Sequence, residues 1–239
     1  MDEIAHDGMN FELPEELRML KDSVRKFVDR ELIPIEGHAR RGHELAPEVR
    51  ADLEAKAKQL GLQGYDVPRQ YGGLGLGLLA QVIVWAELRR SIALPPRGTD
   101  IFGPSISPIL YELDEAQKQR YLLPTIRGEL QWCFAQTEPD AGSDPGSIRT
   151  TAVRRGDVYV INGMKRFITG ADKADYAQVI AATDRAKGSR GGMSAFIVDM
   201  KTPGVSLLRA QKLMIDDRPW EIAFDNVGVR GQEMIGKEG

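Results

Sequence analysis

The sequence has little cysteine and little histidine: one cysteine, Cys133, and three histidines among 239 residues. A single cysteine excludes an intrachain disulfide, so we expect a reducing compartment. His6, His38 and His43 have neither the spacing nor the companions of a metal site, and we predict no metal centre. Cys133 has no basic or histidine neighbour in the sequence that would lower its pKa, which favours a core position inside a strand.

Long apolar runs and an excess of one charge are also missing. No apolar stretch approaches the roughly 18 residues that a membrane-spanning helix requires. The N-terminus, from Met1 to Asp7, is acidic and lacks the pattern of a signal peptide. The 32 basic and 35 acidic residues give a formal net charge of −3, which provides no general attraction to DNA or to anionic membranes. We therefore predict a cytoplasmic protein without nucleic-acid or membrane partners, in which any anionic ligand is bound locally.

The first half of the chain has the apolar periodicity of helices, with apolar residues at three- and four-residue steps. Pro34 ends the first of these segments, and Gly61 follows the second at the position of a left-handed C-terminal cap. Asp114 is a candidate N-cap for the last. We predict helices at about residues 17–32, 49–60, 78–90, 102–113 and 115–126.

From Glu129 onward the pattern changes to the two-residue alternation of strands. Asn162-Gly163 is the dipeptide that type I′ turns demand, so it predicts a β-hairpin. Strands are predicted at about residues 132–137, 157–161, 165–169, 176–183, 194–198, 205–208 and 220–224. Because helices precede strands and do not alternate with them, we predict an α+β fold. It consists of an N-terminal all-helical domain, residues 1–128, and an antiparallel β-barrel or sandwich domain, residues 129–239.

The strand that begins at Trp132 runs into a turn rich in hydroxyl and amide groups, and Pro139 ends the strand. Gly142 lets the backbone approach a ligand closely, while Ser143 and the surrounding amides offer donors of the kind that bind phosphate. Asp144 can cap the following turn. The pattern is typical of a polar ligand held against a sheet, and an ordinary antiparallel sheet is the alternative.

Two other motifs are weak. Residues 75–80 match the dinucleotide fingerprint Gly-x-Gly-x-x-Gly/Ala, but the segment before them contains Pro68 and makes a poor strand. We predict a loop that leads into the third helix. No Gly-x-Ser-x-Gly elbow is present, which argues against a Ser-His-Asp hydrolase.

Three motifs at their observed spacings resemble the central β-domain of the acyl-CoA dehydrogenase family of flavoproteins. They are Thr-Glu-Pro-x-Ala-Gly-Ser-Asp at 137–144, Gly-Asp-x-Tyr-Val-Ile-Asn-Gly-x-Lys-x-Phe-Ile-Thr at 156–169, and Ala-Asp at 174–175. The resemblance extends from about residue 12 over nearly the whole chain, through 71–75, 117–124 and 236–239. It implies FAD as the cofactor, an acyl-CoA substrate, and a family fold whose C-terminal four-helix bundle this chain lacks.

The resemblance also assigns roles to residues. Thr137 is similar to the threonine near the polar edge of the flavin ring, and Thr169 to the hydroxyl that approaches flavin N5. Ser143 matches the turn near the FAD pyrophosphate and the bound acyl-CoA. Phe167 stands where the family usually has tryptophan, and Gly170 replaces a common asparagine. The expected cofactor-binding residues are Phe134, Gln136, Thr137, Gly142, Ser143, Phe167, Ile168 and Thr169.

Residues 97–101 fall where the family meets the far end of the acyl chain. A charge at Arg97 or Asp100 is therefore expected to select a polar or branched acyl group, and a surface position after Pro96 is the alternative. Ser189 and Arg190 lie in a glycine-flanked loop and are expected to contact the CoA phosphates, with plain solvated loop residues as the alternative. Ser143 is expected to contact the substrate as well.

The implied reaction is α,β-dehydrogenation of an acyl-CoA thioester to trans-2-enoyl-CoA. A carboxylate base removes the α-proton and the β-hydrogen passes as hydride to flavin N5. In the family this base is a glutamate of the C-terminal helical domain, so we expect no catalytic residue in this chain and a base beyond Gly239. The isolated chain is then expected to bind FAD poorly and to be inactive.

The resemblance further implies a homo-oligomer, a dimer or tetramer, that passes electrons to an electron-transfer flavoprotein or a similar acceptor. Two alternatives remain open from the sequence. One is a non-catalytic module or partner subunit that binds FAD or acyl-CoA. The other is a flavin monooxygenase or nitroalkane oxidase of the same fold.

Overall fold

The computed structural model describes residues 12–42, 44–95, 100–214 and 217–239. Internal contacts divide the chain into two compact units, Met1–Leu94 and Pro95–Gly239. The helical segment near residue 120 therefore belongs to the same unit as the strands. The predicted domain boundary between residues 128 and 129 rests on the change in sequence pattern and stays a prediction.

The first unit is built from helices α1 to α3 and a short two-stranded ladder. Its elements are α1 (Glu15–Phe27), β1 (Arg40–Arg41), β2 (Glu44–Leu45), α2 (Pro47–Gln59) and α3 (Gly77–Leu88). A π-helical turn, Val28–Leu32, and a 3₁₀ turn, Ile33–Ile35, continue α1. The first three predicted helices are confirmed. Gly61, just after α2, has φ +69°, as the predicted left-handed cap requires.

Helices α1 and α3 are joined by a buried carboxylate. Glu87 of α3 accepts two hydrogen bonds from the Arg25 guanidinium of α1, at 3.0 and 2.8 Å. These hydrogen bonds hold the pKa of Glu87 below its ordinary value, although burial opposes the shift.

The other face of α3 exposes four large apolar side chains, and a patch of this kind is typical of a contact surface. They are Leu78, Leu79, Val82 and Trp85.

The second unit begins with short helical turns. These are 3₁₀ helices Asp100–Phe102 and Pro108–Glu112, helix α4 (Glu115–Gln117), a π-helical turn Lys118–Leu122 and helix α5 (Leu123–Ile126). The predicted α-helix at 102–113 is wrong, because Pro104 and Pro108 lack the amide hydrogen that an α-helix interior needs. The predicted N-cap is confirmed: Asp114 and Gln117 form a reciprocal capping box.

Eight strands in the described part of the second unit form one sheet. They are β3 (Trp132–Ala135), β4 (Thr151–Arg155), β5 (Val158–Ile168), β6 (Tyr176–Ala182), β7 (Met193–Asp199), β8 (Val205–Ala210), β9 (Trp220–Arg230) and β10 (Met234–Ile235). The order is β10-β7-β6-β4-β5-β9-β8, and β3 lies beside β6. Pairing is antiparallel except where β6 meets β3 and β4, which run parallel to it. The predicted helical-then-β architecture is confirmed.

The predicted hairpin at Asn162-Gly163 is wrong. Strand β5 continues through these residues, and the tight connection lies earlier, at Gly156-Asp157 between β4 and β5. Gly163 is instead a point of close backbone approach, since a Cβ atom there would lie 2.6 Å from the Cα atom of Thr150. The pairing of β5 with β9 shifts register beside it, so the glycine marks a bulge.

The apolar core of the second unit is formed mainly by side chains of strands β3 to β7 and β9. Its largest members include Tyr159, Ile161, Phe196 and Phe224, from strands β5, β7 and β9. Ala135, at the end of β3, and Ile168, at the end of β5, also belong to this core. In the described ranges, no helix is both long enough and apolar enough to cross a lipid bilayer.

Candidate functional site

The ends of strands β3 and β5 lie side by side. Just beyond β3, the Thr137 carbonyl oxygen accepts a hydrogen bond of 2.8 Å from the Arg166 amide of β5. This contact brings the predicted site residues of the first motif next to those of the second. The structure therefore places Phe134, Gln136 and Thr137 in the same region as Phe167.

Two aromatic side chains at this place are exposed. Phe134 is 39% exposed and Phe167 is 46% exposed, whereas Cys133 and Ala135, the neighbours of Phe134, are buried. Large apolar rings left in contact with water beside a well-packed core indicate a surface that binds an apolar or aromatic group. Ile168, by contrast, is buried in the core, so only its backbone is available to a ligand.

Phe167 has an unusual backbone conformation, with φ +59°. It lies in an irregular stretch of β5 between Lys165 and Ile168, where the register with β9 shifts. The Arg166 guanidinium carbon is 4.8 Å from the centre of the Phe167 ring, and Glu221 holds this arginine with an Nε–Oε1 distance of 3.2 Å. A left-handed phenylalanine is strained, and such strain is concentrated at functional sites.

The two threonines differ in their surroundings. Thr169 donates a hydrogen bond to Asp217 with an oxygen–oxygen distance of 3.4 Å. Thr137 is half-buried, and none of the described residues hydrogen-bonds to its hydroxyl. Gly170, directly after Thr169, has φ +73°, a conformation that glycine and asparagine both adopt. The exchange of asparagine for glycine at this position therefore preserves the turn.

A loop after β3 presents the predicted phosphate-binding residues. Glu138 and Ala141 exchange backbone hydrogen bonds of 2.8 and 3.4 Å, which close a tight turn. Gly142 and Ser143 follow it and are exposed. The predicted cap is confirmed, since the Asp144 carboxylate accepts a hydrogen bond of 2.9 Å from the Gly146 amide.

A second loop, between β6 and β7, approaches the first. A Cβ atom on Gly146 would lie 3.6 Å from the Ser189 hydroxyl, so these two loops are neighbours. Arg185 of the second loop donates a hydrogen bond of 2.7 Å to the Arg149 carbonyl oxygen. A cavity of about 460 Å³ lies here, lined by Gly146, Ser147, Ile148, Arg149 and Arg185. Arg190 is exposed in the same loop.

Sequence reasoning missed both arginines of this cavity. Neither belongs to the motif residues, and only the fold brings Arg149 and Arg185 together. Their guanidinium groups make the cavity basic, which suits phosphate oxygens. Asp140 forms an ion pair of 3.1 Å with Arg149 and reduces its charge locally.

Sequence reasoning also missed a buried ion pair beneath the site. Lys165 is fully buried, and its ammonium group lies 2.8 Å from Glu138 Oε1 and 3.0 Å from the Gln136 carbonyl oxygen. Burial alone would raise the pKa of Glu138, but the hydrogen bonds from Lys165 and two backbone amides outweigh it and lower that pKa. A signal was present: Lys165 falls on the inward-facing phase of β5, together with Tyr159 and Ile161.

Other candidate residues carry less chemistry. Cys133 is buried, and burial raises the pKa of its thiol to about 12, so it is not a nucleophile at neutral pH. Arg97 lies outside the described residues, and Asp100 begins a 3₁₀ turn. No cluster of three or more potential metal ligands is found in the part of the chain that the structure describes.

Family comparisons cover both units. The acyl-CoA dehydrogenase N-terminal domain matches residues 14–129, and the acyl-CoA dehydrogenase middle domain matches residues 133–227. These matches include every predicted site residue: Arg97 and Asp100 fall within the first, and the candidates from Phe134 to Arg190 fall within the second.

Curated relatives agree with these matches. Three are 36% identical: a 3-(aryl)acrylate reductase of Clostridium sporogenes, an (R)-benzylsuccinyl-CoA dehydrogenase of Thauera aromatica and a short-chain specific acyl-CoA dehydrogenase of Mus musculus. The alignments cover 93%, 97% and 95% of this chain and 59%, 60% and 55% of the relatives. The chain thus spans somewhat more than half the length of these relatives.

Solved structures give the same result. A chain in a structure described as an electron transferring flavoprotein of Acidaminococcus fermentans has a TM-score of 0.77 and 32% identity over 96% of this chain and 60% of that one. A glutaryl-CoA dehydrogenase of Mycobacterium smegmatis in complex with FADH2 has a TM-score of 0.75 and 29% identity. That match covers 95% of this chain and 57% of the other.

Proposed function

Because this chain belongs to the acyl-CoA dehydrogenase family, we propose that it binds FAD and takes part in the α,β-dehydrogenation of an acyl-CoA thioester. The product is a trans-2-enoyl-CoA. The observation that carries this proposal is the exposed aromatic and hydroxyl surface at the ends of β3 and β5, on which the family motifs converge.

The residues at this surface fit a flavin. The rings of Phe134 and Phe167 offer apolar contact to a flat ring system, and the hydroxyls of Thr137 and Thr169 offer hydrogen bonds to its polar edge. Ser143 and Gly142 lie in an exposed loop whose amides suit a pyrophosphate. FAD, when bound, supplies the hydride acceptor. Gln136 and Ile168 contribute through their backbones.

The basic cavity fits the phosphates of CoA. We assign Ser189, Arg149 and Arg185 to this contact, with Ser143 and Arg190 at its margin. The proposal that Arg97 or Asp100 selects the acyl group rests on the resemblance alone. The position of the base beyond Gly239 likewise stays a prediction.

The flavin assignment is tested by replacing the two hydroxyls. In the complete protein, we expect Thr137→Val and Thr169→Val to weaken FAD binding or to lower kcat by about tenfold each, since each removes one hydrogen bond to the cofactor. Thr202→Val, in a turn before β8, is the matched control. FAD affinity is measured by fluorescence titration and turnover by enoyl-CoA formation. Unchanged values in both threonine variants would contradict the assignment.

The CoA assignment is tested at Arg185. In the complete protein, we expect Arg185→Ala to raise KM for acyl-CoA while kcat changes little, because the phosphates lie away from the reacting carbons. Arg154→Ala, on strand β4, serves as the control. A lower kcat with an unchanged KM in Arg185→Ala would argue against phosphate binding in this cavity.

A second candidate is the reverse reaction, reduction of an activated double bond. Its support is that one relative at 36% identity is named a 3-(aryl)acrylate reductase and another at 34% an acryloyl-CoA reductase of Anaerotignum propionicum. Parallel assays with acyl-CoA plus an electron acceptor, and with enoyl-CoA plus an electron donor, distinguish the two directions. If the protein is a non-catalytic binding module, both assays fail while FAD or acyl-CoA still binds. Turnover that consumes oxygen would instead favour a flavin monooxygenase or nitroalkane oxidase.

We also propose that electrons pass to an electron-transfer flavoprotein or a similar acceptor and that the complete enzyme is a homodimer or homotetramer in the cytoplasm. A chain similar to this one occurs in the Acidaminococcus fermentans structure named above, which supports the choice of acceptor. Reduction of purified electron-transfer flavoprotein in the presence of acyl-CoA tests the acceptor. Light scattering of the purified protein tests the oligomeric state, and fractionation of the source cells tests the location.

A further inference from the structure

The buried pair of Glu138 and Lys165 joins three separate segments of the chain. Lys165 of β5 donates to the Gln136 carbonyl oxygen at 3.0 Å and to the Glu138 carboxylate at 2.8 Å. The same carboxylate accepts the amides of Arg149 and Thr150, at 2.6 and 3.0 Å. The ion pair thus connects the end of β3 with strand β5 and with residues 149–150, where the loop ends.

Thr137 lies between the two residues that Lys165 holds. Its own carbonyl oxygen accepts from Arg166, the residue after Lys165. Lys165 and Arg166 of β5 therefore hold three successive residues after β3, namely Gln136, Thr137 and Glu138. The next residue of β5 is Phe167, so the same segment also determines where the exposed ring lies.

Stability alone does not explain this pair. Both side chains are almost entirely buried, with 0% and 3% of their surfaces exposed. Removing two charges from water is expensive, and replacement of a buried ion pair by neutral groups is often neutral or stabilising. An ammonium and a carboxylate with this many fixed partners do, however, define geometry closely.

We propose that Lys165 and Glu138 are positioning residues that hold Gln136, Thr137 and the loop through residue 150 in the geometry that binds FAD, before FAD arrives. This inference rests on the proposed flavin-binding function. It predicts a rigid, preformed site, in which ordering of the loop does not oppose binding.

The first test is the neutral double variant Glu138→Gln/Lys165→Met in the complete protein, where neither charge is left unpaired. We expect FAD affinity to fall by about tenfold and the absorption maxima of the bound flavin to shift, because a small displacement of Thr137 alters its contact with the ring. Glu233→Gln, which removes another buried carboxylate, one that pairs with the half-exposed Arg120 next to β10, is expected to leave both unchanged. A folded double variant with wild-type FAD affinity and spectrum would overturn the proposal.

The second test needs no variant and applies if the double variant does not fold. Hydrogen exchange of the protein without FAD is expected to show protected amides at Arg149 and Thr150, with little further protection when FAD is added. Rapid exchange that slows only with FAD would mean that the cofactor, and not the ion pair, orders the loop. If the wild-type protein binds no FAD under any condition, the proposed function fails. The protection of these two amides can still be measured in that case, and it tests the preformed loop independently of the function.

Discussion

Burial controls the chemistry of the single cysteine. Cys133 is 2% exposed and its thiol has a pKa of about 12, so almost no thiolate exists at neutral pH. We predict that Ellman's reagent at pH 8 titrates no thiol in the folded protein and one per chain in denaturant. Rapid reaction of one thiol under native conditions would contradict the buried position. Ser194→Cys adds a second thiol at a buried position, on β7. Its reaction with the same reagent is compared with that of Cys133.

The Glu138 carboxylate links stability to pH. Its pKa is lowered in the folded protein, so the stabilisation is complete above the ordinary glutamate pKa of about 4.3 and is lost as the pH falls through the lowered value. We predict that Glu138→Gln reduces the dependence of the unfolding free energy on pH below about 4.3, by at most about 1.4 kcal/mol per pH unit. Denaturant titrations at several pH values measure this slope.

The matched control is Glu129→Gln. The hydrogen bond from Arg127 lowers the pKa of Glu129 too, but this carboxylate is 56% exposed and solvent screens the pair. We expect this variant to retain nearly the wild-type slope. Equal slopes for wild type and Glu138→Gln would mean that the buried carboxylate does not change its protonation on unfolding in this range.

Among the elements, strand β5 has no room for a side chain at Gly163. Gly163 has φ +152°, and an added Cβ atom would meet the backbone of Thr150 at 2.6 Å. We predict that Gly163→Ala lowers the free energy of unfolding by about 3 kcal/mol, from strain and steric overlap together. Thermal and denaturant unfolding measure the loss.

Gly228→Ala, on the neighbouring strand β9, is the matched control. The nearest atom to its added Cβ would be Val158 Cγ1 at 3.6 Å, an ordinary contact. We expect a change of less than about 1 kcal/mol there. Similar losses at both glycines would contradict a special role for the bulge at Gly163.

These elements also show which features local sequence determines. The helices at the start of the chain and the capping box at Asp114 follow from periodicity and end signals within a few residues, and they were predicted correctly. Asn162-Gly163 misled the prediction because two uses of glycine, a turn and a close approach to Thr150, share one local signal. The choice between them depends on a strand that is distant in the sequence.

The candidate site likewise contains some residues that the local sequence identifies and others that only the fold brings together. Its motif residues at 134–144 and 167–169 were recognisable, because their spacing follows a family pattern. Arg149 and Arg185 were not, since their proximity depends on two loops from different parts of the sheet. The pair of Glu138 and Lys165 lay inside the motifs, yet a charged residue on the core side of a strand was not recognised as a buried partner.

At the scale of the whole molecule, the chain exposes the two aromatic rings that we propose to contact the flavin. Phe134 and Phe167 are 39% and 46% exposed, so a flavin bound on this surface would be covered by these residues on one side. Affinity depends on the buried area and on contacts that exclude water. We therefore predict that the purified 239-residue chain binds FAD weakly.

The family resemblance implies a base beyond Gly239, which remains a proposal, and on that proposal we also predict that the 239-residue chain forms no enoyl-CoA. The measurement is an absorbance spectrum of the chain with added FAD, followed by anaerobic titration with acyl-CoAs of several lengths. Loss of the flavin band with accompanying enoyl-CoA would mean that a base lies within these residues, and the assignment of the base would then be wrong. A bound flavin that acyl-CoA leaves oxidised would instead support a preformed cofactor surface without a base, because FAD binding and proton removal would then be separable.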